Sequence, residues 1–171
     1  MSNHLSQQEL ESYLWGVATL LRGLIDASDY KQYIFPLMFF KRLSDVWDED
    51  YREAFEDTQD ARYAMDMAND RFEIPEGTHW KDIREASKNV GRALLNAFQA
   101  IEAANPQRLK GVFGNADWTD KAQMPDETLK NLIEHFSKHT LSLVNVPEDE
   151  LGNGYEYLIK QFADDSGHTA Q

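Results

Sequence analysis

The stretch from Tyr30 to Phe55 constrains the fold more than any other part of the chain. Tyr33, Leu37, Phe40, Leu43, Trp47, Tyr51 and Phe55 recur every three or four residues, the spacing of one face of an α-helix. Between Tyr33 and Phe40 the other faces are apolar too, and a helix that is apolar all round must be wrapped by other elements or by a partner. Pro36 falls beyond the first turn. Its missing N–H removes a backbone hydrogen bond, so a kink or a late helix start is expected there.

The wrapping helices can be read on both sides of this segment. Leu5, Ser6, Glu9 and Leu10 have the spacing of a capping box with a hydrophobic staple, and Leu10, Leu14, Val17, Leu21 and Leu24 continue it as an apolar stripe. Asp26 to Asp29 reads as a break and the next N-cap. Asp57 to Arg71 is acidic and weakly periodic, an exposed helix or an ordered excursion. Phe72, Ile74, Pro75 and Trp80 around Glu76-Gly77 suggest a short extended segment near 72–76 and a turn, with Thr78 a candidate cap for the helix that follows. That helix carries Val90, Leu94, Phe98 and Ile101, bends near Gly91 and ends at Asn105-Pro106. Leu109 to Met124 reads as a loop that tucks Val112 and Phe113 inward. Asp126 is the expected cap of a helix bearing Leu129, Leu132, Ile133 and Phe136. After Val146-Pro147 a last helix shows Leu151, Tyr155, Leu158, Ile159 and Phe162, then frays from Ala163. The expected architecture is all-α, an irregular bundle of about five to seven helices with one minor extended element.

At 171 residues and 42% hydrophobic content the chain suits a single folded domain. No apolar run approaches the roughly 20 residues of a membrane span, and the N-terminus lacks a signal-peptide core, so no membrane partner is expected. The absence of cysteine excludes disulfides and thiolate chemistry and fits a cytoplasmic location.

The net charge of −13 argues against a chain that grips nucleic acid by overall electrostatics, but the charge is unevenly spread. Twelve acids between Asp45 and Glu76 face only Arg52, Arg62 and Arg71, a net −9, whereas Lys81 to Lys110 carries +3. Within the basic stretch, Lys81, Arg84, Lys88 and Arg92 are spaced by three, four and four residues, which aligns four cations along one face of a helix. Two readings fit this stripe: a track for DNA phosphates, or a solvated face with Glu85 as an ion-pair partner. Lys41 and Arg42 beside Asp45 form a smaller candidate of the same kind.

The remaining motifs carry little chemistry. His135 and His139 have metal-ligand spacing, but Glu134 precedes the pair and no third ligand is evident, so no metal is expected. Gly152 and Gly154 lack a preceding strand and a third glycine, and close backbone packing is their expected use rather than a nucleotide loop. No serine, histidine and acid set supports nucleophilic catalysis.

Several blocks nevertheless resemble one family. Leu21-Arg22-Gly23, Asp26-Ala27-Ser28-Asp29-Tyr30-Lys31, Phe40-Lys41-Arg42-Leu43-Ser44-Asp45, Lys110-Gly111-Val112-Phe113, and Leu151-Gly152 with Tyr155-Glu156-Tyr157-Leu158-Ile159 and Phe162-Ala163 together resemble the N-terminal helical domain of type I restriction-modification DNA methyltransferase subunits. The blocks span nearly the whole chain in the family's order. Gly154 departs from the pattern, standing where the family usually has alanine.

The resemblance implies a division of residues 1–163 as the helical domain and 164–171 as a linker towards a catalytic domain. In that family the catalytic domain binds S-adenosylmethionine and methylates adenine at N6. It does so with a glycine-rich loop and an Asn/Asp-Pro-Pro-aromatic motif. This chain holds neither, its one Asn-Pro being Asn105-Pro106 followed by Gln107, so no catalytic or cofactor residue carries over. The implied partners are DNA, a specificity subunit, a second modification subunit and a restriction subunit. The rival reading, motivated by the carboxylates of 45–76, is a free-standing acidic helical module that mimics DNA.

Overall fold

The computed structural model describes the backbone of residues 4–169 and the side chains of residues 4–163. Among the described residues there are seven α-helices and no strand: α1 (Gln7–Leu21), α2 (Tyr30–Thr58), α3 (Ala61–Arg71), α4 (Trp80–Arg84), α5 (Val90–Ala104), α6 (Asp126–Phe136) and α7 (Glu148–Thr169), with a 3-10 turn at Ala27–Asp29 before α2. None of these helices is long and apolar enough to cross a membrane.

The apolar segment is central, as its pattern requires. Residues 33–38 and 40–46 of α2 are all buried, with α1, α4, α6 and the 3-10 turn packed around them. α2 runs unbroken through Pro36, so the expected late start does not occur. The burial of Tyr33, Ile34, Leu37 and Met38 around the ring offsets the one backbone hydrogen bond that proline forfeits.

α1 begins with the expected capping box. Ser6 Oγ accepts from the Glu9 N–H at 3.1 Å and Glu9 Oε1 accepts from the Ser6 N–H at 3.1 Å, while Leu5 and Leu10 are both buried. The stripe stops one member early. α1 ends at Leu21, Gly23 adopts φ +79°, and Leu24 is turned outward at 54% exposed.

The helix expected across 79–104 is two helices, because the break falls at 85–89 and not at Gly91. Asn89 takes a left-handed φ of 54°, and the carboxylate of Asp126 accepts from the N–H groups of Asn89 at 2.9 Å and Val90 at 3.1 Å. Asp126 does not cap its own helix, as its position suggests. It is instead the first residue of α6 and satisfies the start of α5, since the two helices pack together. Gly91 is a point of close approach: an added Cβ would fall inside the van der Waals radius of the Trp118 carbonyl and 3.4 Å from Leu129 Cδ1.

The segment near 72–76 is not a strand. Phe72 has extended torsions, but the partner a strand would need is replaced by one side chain: Asn105 Oδ1 accepts from the Glu73 N–H at 2.9 Å and Asn105 Nδ2 donates to the Glu73 carbonyl at 2.8 Å. Thr78 closes the following turn by donating to the Pro75 carbonyl at 2.6 Å. The capping box of α4 is formed by His79 and Asp82 instead. The loop after α5 does tuck inward, with Phe113 and Trp118 buried and Phe113 stacked on Phe98 at 4.3 Å between centroids. Val112 is only half-buried. At the far end, the helical backbone of α7 continues past Ala163 to Thr169. Residues 170–171 of the expected linker lie outside the described residues.

Two glycine substitutions separate packing from propensity. Gly91→Ala is expected to destabilise by at least about 1–3 kcal/mol, because carbonyl backbone cannot move aside as a side chain can. Gly152→Ala, at an exposed position of α7 that faces open space, is expected to stabilise by about 0.5–1 kcal/mol. Urea denaturation of the two variants measures both.

Candidate nucleic-acid interface

Lys41 and Arg42 do not face solvent. They are 4% and 9% exposed, and they turn towards the irregular chain between α6 and α7. Lys41 Nζ pairs with Asp45 one turn along α2 and donates to the His139 carbonyl at 2.9 Å. Arg42 Nη1 lies 3.0, 3.1 and 2.5 Å from the carbonyl oxygens of Leu141, Ser142 and Val146. Asp45 accepts from the Leu141 N–H at 2.7 Å, and Glu49 accepts from the N–H groups of Leu143 at 3.0 Å and Val144 at 3.2 Å. Four side chains of one helix thus bond seven backbone groups of 139–146, a stretch that lies outside every helix. Lys41 and Arg42, expected as phosphate contacts, are thus turned inward to this backbone. Burial also raises the pKa of Asp45 above its ordinary value, against the pull of Lys41.

The four cations of the stripe are all exposed but do not share one helix. Lys81 and Arg84 lie on α4, Lys88 in the connection, and Arg92 in the first turn of α5. Arg84 is engaged with α6: its Nε and Nη2 donate to the two carboxylate oxygens of Glu134 at 2.8 and 2.9 Å. That hydrogen bonding raises Arg84 and lowers Glu134. Lys81, Lys88 and Arg92 form no ion pair among the described residues.

The fold adds two cations that sequence spacing did not indicate. Lys130 Nζ donates to the Ser87 carbonyl at 2.5 Å, and Lys121 Nζ donates to Asn89 Oδ1 at 2.7 Å. Both are exposed. The result is a basic corner at the α4–α5 connection, built from three stretches of chain. Lys121 and Lys130 lie more than thirty residues downstream, and only the packing of α5 on α6 brings them there.

His135 and Gly154 serve packing between helices. His135 Nε2 bonds the Tyr13 carbonyl at 2.7 Å and its ring stacks on Tyr13 at 5.5 Å, while Tyr13 Oη donates to the Phe136 carbonyl at 2.6 Å, clasping α1 to α6. Burial lowers the His135 pKa. Among the described residues no His, Asp or Glu group is arranged to hold a metal ion. Gly152 and Gly154 both lie inside α7. Gly154 allows the close packing expected of it, since an added Cβ would sit 2.9 Å from Leu14 Cδ1, whereas Gly152 faces open space. With these glycines inside a helix and no strand before them, they do not fit the phosphate- or nucleotide-binding turn of a cofactor loop.

The described residues form an all-α domain with a cluster of exposed cations at the α4–α5 connection. The family model described as the HsdM N-terminal domain matches residues 10–136, about three quarters of the sequence, and the chain belongs to that family. It is similar to the type I restriction enzyme MjaIX methylase subunit of Methanocaldococcus jannaschii, with 27% identity over 93% of this chain and 32% of the relative. It is also similar to the type I restriction enzyme MpnII methylase subunit of Mycoplasma pneumoniae, with 23% identity over 94% of this chain and 36% of the relative. The crystal structure of the type I restriction-modification system methyltransferase subunit from Streptococcus thermophilus superposes with a TM-score of 0.72 at 26% identity, over 95% of this chain and 40% of that one. The chain therefore spans about a third of the length of the curated relatives it matches.

Removing Asp45 tests the buried cluster. Asp45→Ala leaves Lys41 buried without its partner and is expected to cost about 3–5 kcal/mol in urea denaturation. The pH dependence has a definite sign. Because the folded-state pKa of Asp45 is raised, the native protein binds this proton more tightly than the unfolded chain does, so Asp45 makes stability fall as pH rises from 3.8 through the raised value. Asp45→Asn should remove that decline from a stability profile measured over the same interval.

Proposed function

We propose that this chain is the N-terminal, DNA-holding and assembly domain of a type I restriction-modification DNA methyltransferase subunit. The full-length protein would transfer a methyl group from S-adenosylmethionine to N6 of adenine within a specific DNA site, in the cytoplasm. It would act in a complex with a specificity subunit, a second modification subunit and a restriction subunit. Gly152 and Gly154 lie within a helix rather than in a cofactor loop, which supports a binding and positioning part for this domain. Family membership supports the assignment to the modification subunit. It also favours this reading over a free-standing acidic mimic of DNA.

The observation that carries the DNA-holding role is the basic corner. Lys81, Lys88 and Arg92 are exposed and unpaired among the described residues, and Lys121 and Lys130 are anchored beside them by the connection they bond. Phosphates met at such a corner release condensed counterions, which makes binding salt-dependent. The net −13 of the chain opposes non-specific accumulation on nucleic acid and leaves attraction confined to this corner.

In the assembled modification complex, replacing Lys81, Lys88 and Arg92 by glutamine should weaken duplex binding and flatten the plot of log affinity against log salt by about 0.9 for each phosphate no longer neutralised. Arg84→Gln should change the slope less, because Glu134 already neutralises that side chain. Fluorescence anisotropy across a salt series measures both. Unchanged affinity and slope in the triple variant would return the corner to an ordinary solvated surface.

A further inference from the structure

The second half of α2 and α3 form a helical hairpin whose inner contact is made by Ala64 and Ala68. Trp47 Nε1 holds the hairpin by donating to Asn69 Oδ1 at 2.7 Å. Along α3, Tyr63 and Met67 are one turn apart and remain 45% and 46% exposed. They line a groove of about 510 Å³ with Ala54 and the carboxylates of Glu53, Asp57 and Asp70. At one end Asp50 is paired with Arg71 at 2.8 Å, and Arg108 donates to the Arg71 carbonyl at 2.7 Å. The groove therefore sets an exposed tyrosine and methionine beside three acids that form no ion pair among the described residues.

We propose that this groove is the docking site for an arginine-bearing segment of a partner protein. A guanidinium is planar and weakly hydrated, so it stacks on a tyrosine face while its stem covers a thioether and its N–H groups reach carboxylates. Tyr63, Met67 and the Glu53, Asp57 and Asp70 carboxylates supply those three interactions in one groove. Nucleic acid is disfavoured by the same carboxylates. A second copy of this chain is disfavoured because each copy brings a net charge of −13. The inference is independent of the DNA-holding role of the basic corner, and the two are probed with different ligands.

The test uses the 171-residue chain labelled with 13C at the methionine methyls, titrated with a short alanine- and glutamine-based peptide carrying two arginines. Parallel titrations use the same peptide with citrulline, or with lysine, in place of arginine. The expected result is a saturable shift of the Met67 methyl resonance with the arginine peptide, with the buried Met38 and Met124 methyls unmoved. Binding should be at least about 5-fold weaker for citrulline and for the Tyr63→Ser variant at constant ionic strength, about 1 kcal/mol by the affinity relation. Tyr63 is exposed, so unchanged Met38 and Met124 signals in the variant report that it still folds. No shift at Met67, or binding that Tyr63→Ser leaves unaltered, would overturn the docking site in favour of diffuse attraction. Equal affinity for the lysine peptide would overturn the assignment of arginine.

Discussion

Every irregular stretch of a helical protein must find partners for its backbone N–H and carbonyl groups, and here the stretch from 139 to 146 finds them on α2. Lys41, Arg42, Asp45 and Glu49 project from successive turns and bond the carbonyls and N–H groups of that loop. The arrangement lets one helix serve both as the apolar centre of the bundle and, one turn later, as its polar scaffold. It also fixes where α7 begins, since Arg42 reaches the Val146 carbonyl just before Pro147 and Glu148. Burying such charges stabilises only while every partner is in place. The cluster is accordingly a point of specificity, coupling the α6–α7 connection to α2.

The same division of labour organises the surface. Past Val46, α2 leaves the core and continues as one arm of the acidic hairpin. The basic corner is assembled elsewhere, from α4, the α4–α5 connection, α5, α6 and the loop preceding α6. Each surface rests on a local device that fixes backbone direction: Asp60 accepting from the Arg62 and Tyr63 N–H groups at the start of α3, and Asp126 accepting from Asn89 and Val90 at the start of α5. Asp126 has a lowered pKa because of those backbone bonds, so it remains an acceptor under mildly acidic conditions.

Much of the helical core could be read from spacing, because a periodic apolar face is a local property with one good solution. The stripes of α1, α2, α6 and α7 belong to this class, as does the capping box at Ser6 and Glu9. Where local pattern misleads, the competing solution is non-local. The spacing of Lys81, Arg84, Lys88 and Arg92 suits a continuous helix, yet the helix breaks because a carboxylate from α6 caps a new start at Asn89. Lys41 and Arg42 look like surface cations in sequence, and only the loop a hundred residues downstream makes them interior. The pairing of Arg84 with Glu134, and the arrival of Lys121 and Lys130, leave no trace in local pattern.

The sequence by itself determined that the chain is an all-α bundle built round one apolar helix, that its acidity is concentrated in one segment, and that its blocks belong to a modification-subunit family. These follow from periodicity, composition and short motifs, each a matter of neighbours along the chain. Tertiary structure alone decided which cations are buried and which are free, where the fifth helix starts, and which side chains meet at the basic corner. Burial and charge pairing depend on residues brought together from distant positions, and one packed interface can reverse what a local pattern implies.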